Sequence, residues 1–204
     1  MQNKGAILIL SGPSGCGKST LLKEIYKNIS NYYFSISTTT RSPRVGEKDG
    51  VDYYFVSKDE FEKDIEAGNF LEWAKVHDNY YGTSLKPIVE ALNDGKLVIF
   101  DIDVQGHKIV RKKLNSQVTS VFITTPTLTI LKDRLYSRNS DSSDIIEKRL
   151  SNAKEEINSF LEYDYLIIND DLEKSTKEIL AIANIARAKT KLFDKESLVG
   201  YWSK

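Results

Sequence analysis

The sequence is best understood from Gly12-Pro13-Ser14-Gly15-Cys16-Gly17-Lys18-Ser19, a run that satisfies the pattern G-x-x-x-x-G-K-[ST]. A short apolar run, Ala6–Leu10, precedes it, and a segment with helical spacing, Lys18–Ile29, follows it. Glycines let successive backbone N–H groups turn inward around phosphates, and the helix that follows adds its positive N-terminal end. This strand–loop–helix order predicts a binding site for the phosphates of a nucleoside triphosphate.

Side chains at the end of the run have distinct expected roles. Lys18 is expected to reach the β- and γ-phosphates and to stabilise charge during transfer, and the Ser19 hydroxyl is a candidate Mg²⁺ ligand. Thr20 follows and completes the predicted ATP-binding set. Cys16 allows two interpretations, because a helix N-terminus lowers the pKa of a thiol. A small filler residue is favoured over a redox-active cysteine.

Three further apolar runs predict buried strands, at Lys96–Phe100, Val118–Thr124 and Tyr165–Ile168. Helical patterns separate them, and a final amphipathic helix is predicted at about Leu172–Leu192. Continuous apolar strands that alternate with helices are typical of a parallel sheet covered on both faces. We therefore expect an α/β fold with a parallel-sheet core of the P-loop NTPase type.

Two segments interrupt this alternation. Residues 33–83 are rich in Tyr, Thr, Ser and Gly, which predicts a small insert of mixed, mainly antiparallel strands with one helix. That helix should begin at a capping box of Ser57 and Glu60 and end before Gly68. Residues 128–161 predict a second, helical insert: Leu128–Tyr136 and Ile145–Leu161 flank a polar loop.

These segments divide a single expected domain into three parts. The core comprises about residues 1–32, 84–127 and 162–204, and the two inserts comprise about residues 33–83 and 128–161. The tail, residues 193–204, shows no pattern that predicts a structure.

Composition restricts the class of protein. The chain has 204 residues, of which 40% are hydrophobic and 28% charged, and Lys+Arg 29 balances Asp+Glu 29. A net charge of zero gives no reason to expect a nucleic acid or an anionic membrane as partner. No apolar stretch is long enough for a signal peptide or a membrane span, and one cysteine excludes an internal disulfide. A cytoplasmic protein with small-molecule substrates is expected.

Further motifs follow the phosphate loop in order, and together they identify a family that the loop alone does not. In the first insert they are Ser35 to Arg44, Gly46-Glu47, Gly50-Val51-Asp52-Tyr53, Phe70-Leu71-Glu72-Trp73 and Asn79 to Ser84. Beyond it they are Asp101 to Gly106, Arg134 to Asn139, Lys148-Arg149-Leu150 and Ile168 to Leu172. From about Gly5 to Ala188 the sequence closely resembles guanylate kinase.

The resemblance implies a GMP site in the first insert. Residues that match the family's monophosphate-binding positions are Arg41, Arg44, Tyr53 and Tyr81. Guanidinium groups and phenols suit a dianionic phosphate, because arginine offers forked donors. Residues that match the base-contacting or neighbouring positions are Ser37, Glu72, Gly82, Thr83 and Asp103. The carboxylate matching Glu72 can accept from guanine N1–H and from the 2-amino group. Adenine has an acceptor at N1 and no 2-amino group, so it offers neither bond.

The resemblance also implies the transfer chemistry. The acceptor is a phosphate oxygen that is already ionised, so no general base is needed, and catalysis should consist of positioning and charge neutralisation. Besides Lys18 and Arg44, the expected cations are Arg138 and Arg149 of the second insert, which match arginines of a lid. Asp101 is expected to organise Mg²⁺, directly or through water.

Other assignments remain weaker or open. Asn169 and Asp170 match positions near the adenine of ATP, although turn chemistry alone also favours Asn-Asp there. Another nucleoside monophosphate kinase and a catalytically inactive, protein-binding guanylate-kinase-like module are the alternatives. Acceptance of dGMP is expected, and a homo-oligomer is left open.

Overall fold

The computed structural model describes residues 4–44, 46–76, 78–114, 117–137 and 142–203. In this part of the chain the strands are β1 Ala6–Ser11, β2 Tyr32–Phe34, β3 Thr38–Thr39, β4 Tyr54–Phe55, β5 Phe70–Val76, β6 Asn79–Ser84, β7 Leu97–Asp101, β8 Val118–Thr124 and β9 Tyr165–Ile168. The α-helices are α1 Lys18–Asn28, α2 Lys58–Glu66, α3 Leu85–Asn93, α4 Val104–Leu114, α5 Leu128–Ser137, α6 Ser143–Glu156, α7 Leu172–Ala186 and α8 Lys195–Trp202. Within the same described residues, 3₁₀ helices cover Ile157–Glu162 and Thr190–Leu192.

A five-stranded parallel sheet forms the centre of the protein, in the order β2-β7-β1-β8-β9. Its central strand, β1, pairs in parallel with β7 on one side and with β8 on the other. The carboxyl end of β1 leads directly into the glycine-rich run that the sequence singled out. An α/β fold with a parallel sheet is thereby confirmed.

Both faces of the central strands β1, β7 and β8 are buried, which explains why these strands are continuously apolar. β9 was also predicted to be buried, but it lies at the sheet edge and only Ile167 of its four residues is buried. Ala6, Leu8 and Leu10 of β1 belong to a cluster that includes residues of α1 and α7. Ile7 and Ile9 point to the other face and join residues of α3 and α4. All six residues of β1 are buried, and burial on this scale fixes the sheet as a rigid base for the loops at its edge.

The second sheet is mixed and lies in the first insert, in the order β4-β3-β6-β5. β3 is antiparallel to β6 and β5 is antiparallel to β6, but β3 and β4 run parallel. The predicted capping box of α2 is present: Ser57 Oγ accepts from the Glu60 backbone, and the Glu60 carboxylate accepts from the Ser57 N–H. Gly68 follows α2 with φ 68°, a backbone angle that favours glycine.

Several boundaries differ from the sequence prediction. β2 begins at Tyr32 and belongs to the parallel sheet, so the start of residues 33–83 lies in the core sheet and not in the insert sheet. The last predicted helix ends at Ala186, not at Leu192, and α6 gives way to a 3₁₀ helix at Ile157.

The tail contains a helix, α8, that the sequence did not suggest. Asp194 caps it by accepting a hydrogen bond from the Ser197 backbone N–H at 2.8 Å. None of the helices in the described part of the chain combines the length and the apolar character that crossing a bilayer requires.

Candidate active site

The loop between β1 and α1 has a backbone that requires glycine at positions that include Gly12 and Gly17. Gly12 has φ 139°, and a Cβ there would lie 1.9 Å from the Ile123 carbonyl oxygen. Gly17 has φ 101°, and its Cβ would lie 2.2 Å from the Asn169 amide nitrogen. Both backbone angles are left-handed, so glycine is required for conformation as well as for space. The loop is packed tightly between the ends of β8 and β9.

Lys18 lies at the start of α1 with its ammonium group over the loop. Lys18 Nζ donates to the carbonyl oxygens of Gly12 at 2.6 Å and of Pro13 at 3.3 Å. These carbonyls hold the ammonium inside the curve that the sequence predicts for the phosphates. The side chain is therefore placed at the loop and not directed into solvent.

Asn169 fixes the loop from the far end of the sheet. Its amide Nδ2 donates to the Cys16 carbonyl oxygen at 2.8 Å, and the residue is 5% exposed. A buried amide so engaged supports the shape of the loop, and the position near adenine that the resemblance implied stays a prediction. The pair joins β9 to the phosphate loop.

Cys16 is fully buried beneath the loop. Burial raises the pKa of its thiol, although nearby Lys18 acts in the opposite direction. A buried thiol with a raised pKa is a poor nucleophile, which supports the filler interpretation and argues against redox chemistry.

A cavity of about 290 Å³ opens beside the loop and the start of α1. Its lining comprises Gly15, Gly17, Thr20, Arg134, Ser137, Asn169, Asp170 and Leu172. Arg134 Nη2 donates to the Asn169 carbonyl oxygen at 2.9 Å. The structure thus brings Thr20, Asn169 and Asp170 together, and it adds Arg134, to which the sequence assigned no role.

The second insert reaches the loop through Arg149. Arg149 Nη1 donates to Ser14 Oγ at 2.9 Å, so α6 contacts the exposed side of the loop. Arg138, the other arginine predicted in this segment, lies outside the described residues. Ser19 is exposed in the first turn of α1, as a ligand for a bound ion would need to be.

Two aspartates lie at the carboxyl end of β7 and just beyond it: Asp101 is the last residue of the strand, and Asp103 follows it. Asp101 as a whole is exposed at the sheet edge, but protein atoms surround much of its carboxyl group. This burial raises the pKa of the carboxyl group, and the nearby charge of Lys18 lowers it. Asp103 Oδ1 accepts from the Gly106 backbone N–H at 2.8 Å at the start of α4. One Asp103 oxygen thus has a structural role.

In the first insert, Arg41 forms an ion pair with Glu47. Arg41 Nη2 donates to both carboxylate oxygens, at 2.8 Å and 3.0 Å, and the Arg44 backbone N–H donates to Glu47 Oε2 at 2.7 Å. The bond to Arg41 lowers the pKa of Glu47 and raises that of Arg41. The Glu47 carboxylate therefore links the Arg41 side chain to the Arg44 backbone within one turn of the chain.

Aromatic rings surround this arginine. The Arg41 guanidinium carbon lies 5.4 Å from the centre of the Tyr53 ring, and the Tyr53 and Tyr81 rings meet edge to face at 6.1 Å. Burial raises the pKa of Tyr53, so its hydroxyl stays protonated and available as a donor. The structure thus brings together Arg41, Tyr53 and Tyr81, three of the four predicted phosphate ligands, while Arg44 joins them through its backbone.

Glu72 lies on β5 opposite Thr83 on β6. Thr83 Oγ1 donates to Glu72 Oε1 at 2.5 Å, a short bond of the kind expected for an ionised acceptor. Burial raises the pKa of Glu72, and the bond from Thr83 lowers it. Thr83 is 1% exposed, so the hydroxyl fixes the carboxylate from within the protein.

Two other predicted residues have structural explanations. A Cβ on Gly82 would lie 2.9 Å from Phe61 Cζ and 3.0 Å from the Phe70 ring, so packing alone requires glycine there. The Ser37 carbonyl accepts from the Tyr54 N–H at 2.9 Å, and its partly exposed side chain precedes β3.

Sequence reasoning missed Glu47 and Arg134 as parts of the site. Glu47 follows Arg44 by three residues, and this spacing of opposite charges in a turn was the available signal. Arg134 lay within a quoted motif, but its contact with Asn169 joins residues 35 positions apart, which no local pattern reveals.

Known proteins are similar to this chain over nearly its whole length. A family model described as guanylate kinase matches residues 4–184. The chain is 54% identical over 198 residues to a guanylate kinase of Sulfurimonas denitrificans, covering 97% of this chain and 96% of that protein. It is 54% identical over 202 residues to a guanylate kinase of Helicobacter pylori, covering 99% and 98%.

A solved structure is similar as well. The crystal structure of guanylate kinase from Anaplasma phagocytophilum matches with a TM-score of 0.72 and 32% identity, covering 94% of this chain and 91% of that one. The family match spans the phosphate loop, the first insert and the segment from α5 to α6. This chain belongs to the guanylate kinase family.

Proposed function

We propose that the protein transfers the γ-phosphate of ATP to GMP, giving ADP and GDP, and that it accepts dGMP. The observation that carries the choice of acceptor is the Glu72–Thr83 pair, a partly buried carboxylate held by a buried hydroxyl. Its oxygens can accept from guanine N1–H and from the 2-amino group. AMP offers neither donor and would leave the carboxylate without these bonds. This should disfavour AMP relative to GMP by a factor on the order of a thousand or more.

The phosphate of GMP would lie at Arg41, Tyr53 and Tyr81. Arg41 is already oriented by Glu47 and stacked near Tyr53, so little side-chain entropy remains to be lost on binding. Arg44 would add a second guanidinium from the same turn. Ser37, Gly82, Thr83 and Asp103 would border the base and ribose.

The triphosphate of ATP would lie in the loop from Gly12 to Thr20. Lys18 would exchange its bonds to the loop carbonyls for bonds to the phosphates, and Arg149 lies beside Ser14 at the edge of that loop. The cavity lined by Thr20, Arg134 and Asp170 would take the adenosine part. Asn169 would act on this site through the Cys16 carbonyl.

The residues present fit Mg²⁺. Asp101 offers a carboxylate whose charge is poorly solvated, Ser19 offers an exposed hydroxyl, and such hard oxygen donors suit this ion. Among the described residues no cluster of three or more His, Cys, Asp or Glu could hold a metal. A site of this kind would depend on substrate phosphates for its remaining ligands, as Mg²⁺ sites in kinases commonly do. When bound, the ion would neutralise phosphate charge.

The transfer step would need no general base, because the attacking GMP oxygen is ionised at neutral pH. Lys18, Arg44, Arg138 and Arg149 would stabilise the charge that spreads over the transferred phosphoryl group. We further propose that residues 33–83 and 128–161 close over the substrates and exclude water. ATP and GMP as substrates, with the single cysteine, support a cytoplasmic location.

An ADP-release assay with each monophosphate tests this proposal. GMP should support turnover with ATP, and AMP, UMP and CMP should be poor acceptors. Preference for AMP would refute the assignment of the base. Failure to bind ATP in calorimetry would favour an inactive, protein-binding module instead.

A further inference from the structure

The strand that carries Glu72 contains an irregularity immediately before that residue. Phe70 lies opposite Ser84, whereas Glu72 lies opposite Thr83, so Leu71 is an extra residue in β5 and forms a β-bulge. The pairs from Glu72–Thr83 to Val76–Asn79 share one regular register, and only the Phe70–Ser84 pair beyond Leu71 departs from it. The Glu72–Thr83 pair is therefore the last pair of this regular ladder and lies directly beside the bulge. β-bulges frequently lie beside active sites.

Leu71 itself is anchored in the core. It is 2% exposed and belongs to the cluster that covers one face of the parallel sheet, with Ile88 of α3, Phe100 of β7 and Val110 of α4. The bulge thus attaches the insert sheet to the rigid part of the protein at the residue before Glu72.

A bulged residue presents backbone groups that the regular ladder does not use. Lys113, in the last turn of α4, supplies a partner: its Nζ donates to the Leu71 carbonyl oxygen. α4 begins beside Asp103, whose carboxylate caps that end of the helix. One helix therefore carries Asp103 near its start and the donor to the bulge at its end.

We propose that Lys113 is a positioning residue for recognition of the guanine base, acting by holding the Leu71 backbone so that the side chain of the adjacent Glu72 keeps its position beside Thr83. This inference rests on the proposed function, because it assigns Lys113 to the base-binding half of the same site. Lys113 touches neither substrate. Its effect passes through the Leu71 carbonyl and through its charge.

The charges near Glu72 give the proposal a pH signature. Burial and the charge of Asp103 raise the pKa of Glu72, whereas the Thr83 hydroxyl and the charge of Lys113 lower it. Removing the ammonium should raise that pKa further. Binding of GMP needs the ionised carboxylate, so the variant should lose GMP affinity at a higher pH than the wild type.

The test compares Lys113→Met with Lys113→Arg, which keeps a charged donor, and with Lys112→Met, the exposed neighbour on the same helix. In Lys113→Met the KM for GMP should rise about tenfold, the typical worth of a hydrogen bond to a charged group. kcat and the KM for ATP should stay within about twofold, because the loss concerns binding of one substrate. Lys113→Arg should restore most of the GMP affinity, and Lys112→Met should resemble the wild type.

Two further measurements separate positioning from general destabilisation. Preference for GMP over IMP, which lacks the 2-amino group, should fall in Lys113→Met, and the rise in KM should be larger near pH 6 than near pH 8. Equal losses for ATP and GMP, or an unchanged KM for GMP, would overturn the inference. If Lys113→Met does not fold, Lys113→Gln carries the same expectations at a smaller fold-change. A wild type that does not use GMP would refute the proposed function instead.

Discussion

Replacing Glu72 with Gln tests the base-recognition argument most directly. The substitution keeps the size of the side chain but replaces one acceptor oxygen with an NH₂ group. Thr83 donates to Oε1 at 2.5 Å, so the single remaining oxygen should turn toward that hydroxyl. The NH₂ group would then face the N1–H and 2-amino donors of guanine, where no hydrogen bond can form.

The magnitude follows from the bonds that are lost. A hydrogen bond to a charged group contributes about 1.5–3 kcal/mol, and guanine would lose its charge-assisted pairing with the carboxylate. A total of about 3 kcal/mol corresponds to roughly a hundredfold decrease in kcat/KM for GMP, at about 1.4 kcal/mol per factor of ten. The KM for ATP should stay unchanged, since Glu72 lies in the first insert, away from the phosphate loop in the chain.

The assay measures ADP release with GMP and with IMP as acceptors at saturating ATP. IMP has no 2-amino group, so its kcat/KM should fall less than that of GMP. Glu66→Gln, an exposed position at the end of α2, serves as the matched control. Parallel losses for ATP and GMP, or an unchanged kcat/KM for GMP, would refute the base-recognition role.

The same variant has a second expected property, in its stability. Burial raises the pKa of Glu72 above its ordinary value, so the ionised carboxylate is disfavoured in the folded protein. That penalty is fully present above the folded pKa and disappears as pH falls below the unfolded value. Glu72→Gln should therefore melt higher than the wild type near pH 8, and the difference should shrink toward pH 4. A difference that grows as pH falls would contradict the sign.

Three other substitutions test the remaining parts of the structure. Lys18→Ala should lower kcat by about two orders of magnitude or more while the protein still folds, because its bonds go to carbonyls of the loop surface; near-normal turnover would refute its role. Asn169→Ala removes the donor to the Cys16 carbonyl, so the KM for ATP should rise about tenfold with little effect on the KM for GMP. An unchanged KM for ATP would show that the loop keeps its shape without this bond. Ser57→Ala breaks the capping box of α2 and should cost about 1 kcal/mol, or roughly 2–4 °C in Tm, with kcat preserved; calorimetry that finds no shift would contradict the cap.

The parallel core was predictable because its central strands β1, β7 and β8 are buried on both faces and therefore appear as continuous apolar runs. Ala6–Leu10 illustrates this, and Val118–Thr124 was predicted to the residue. β2 was not recognised, because a half-buried strand of three residues at the sheet edge has neither alternation nor a continuous apolar run. α8 was not predicted for a similar reason. No residue of α8 is buried, so the helix has no buried apolar face, and its Asp194 cap was the available signal in the sequence.

For the site, the order of the motifs along the chain could be determined from the sequence, whereas the register between paired strands could not. Arg41, Tyr53 and Tyr81 were predicted together from motifs, and the structure brings them together. The bulge at Leu71 is a property of how β5 pairs with β6, which depends on packing against the distant core. The roles assigned to these residues remain predictions for the experiments above.

The bond between Asn169 and the Cys16 carbonyl has a consequence for how the protein is made. Its partners are 153 positions apart, so the phosphate loop is synthesised well before Asn169. During translation the glycine-rich segment therefore gains this bond only after β9 has left the ribosome. Nascent chains that end before residue 169 should bind ATP more weakly than chains that extend beyond α7, so stabilisation by nucleotide should increase once this residue has been added.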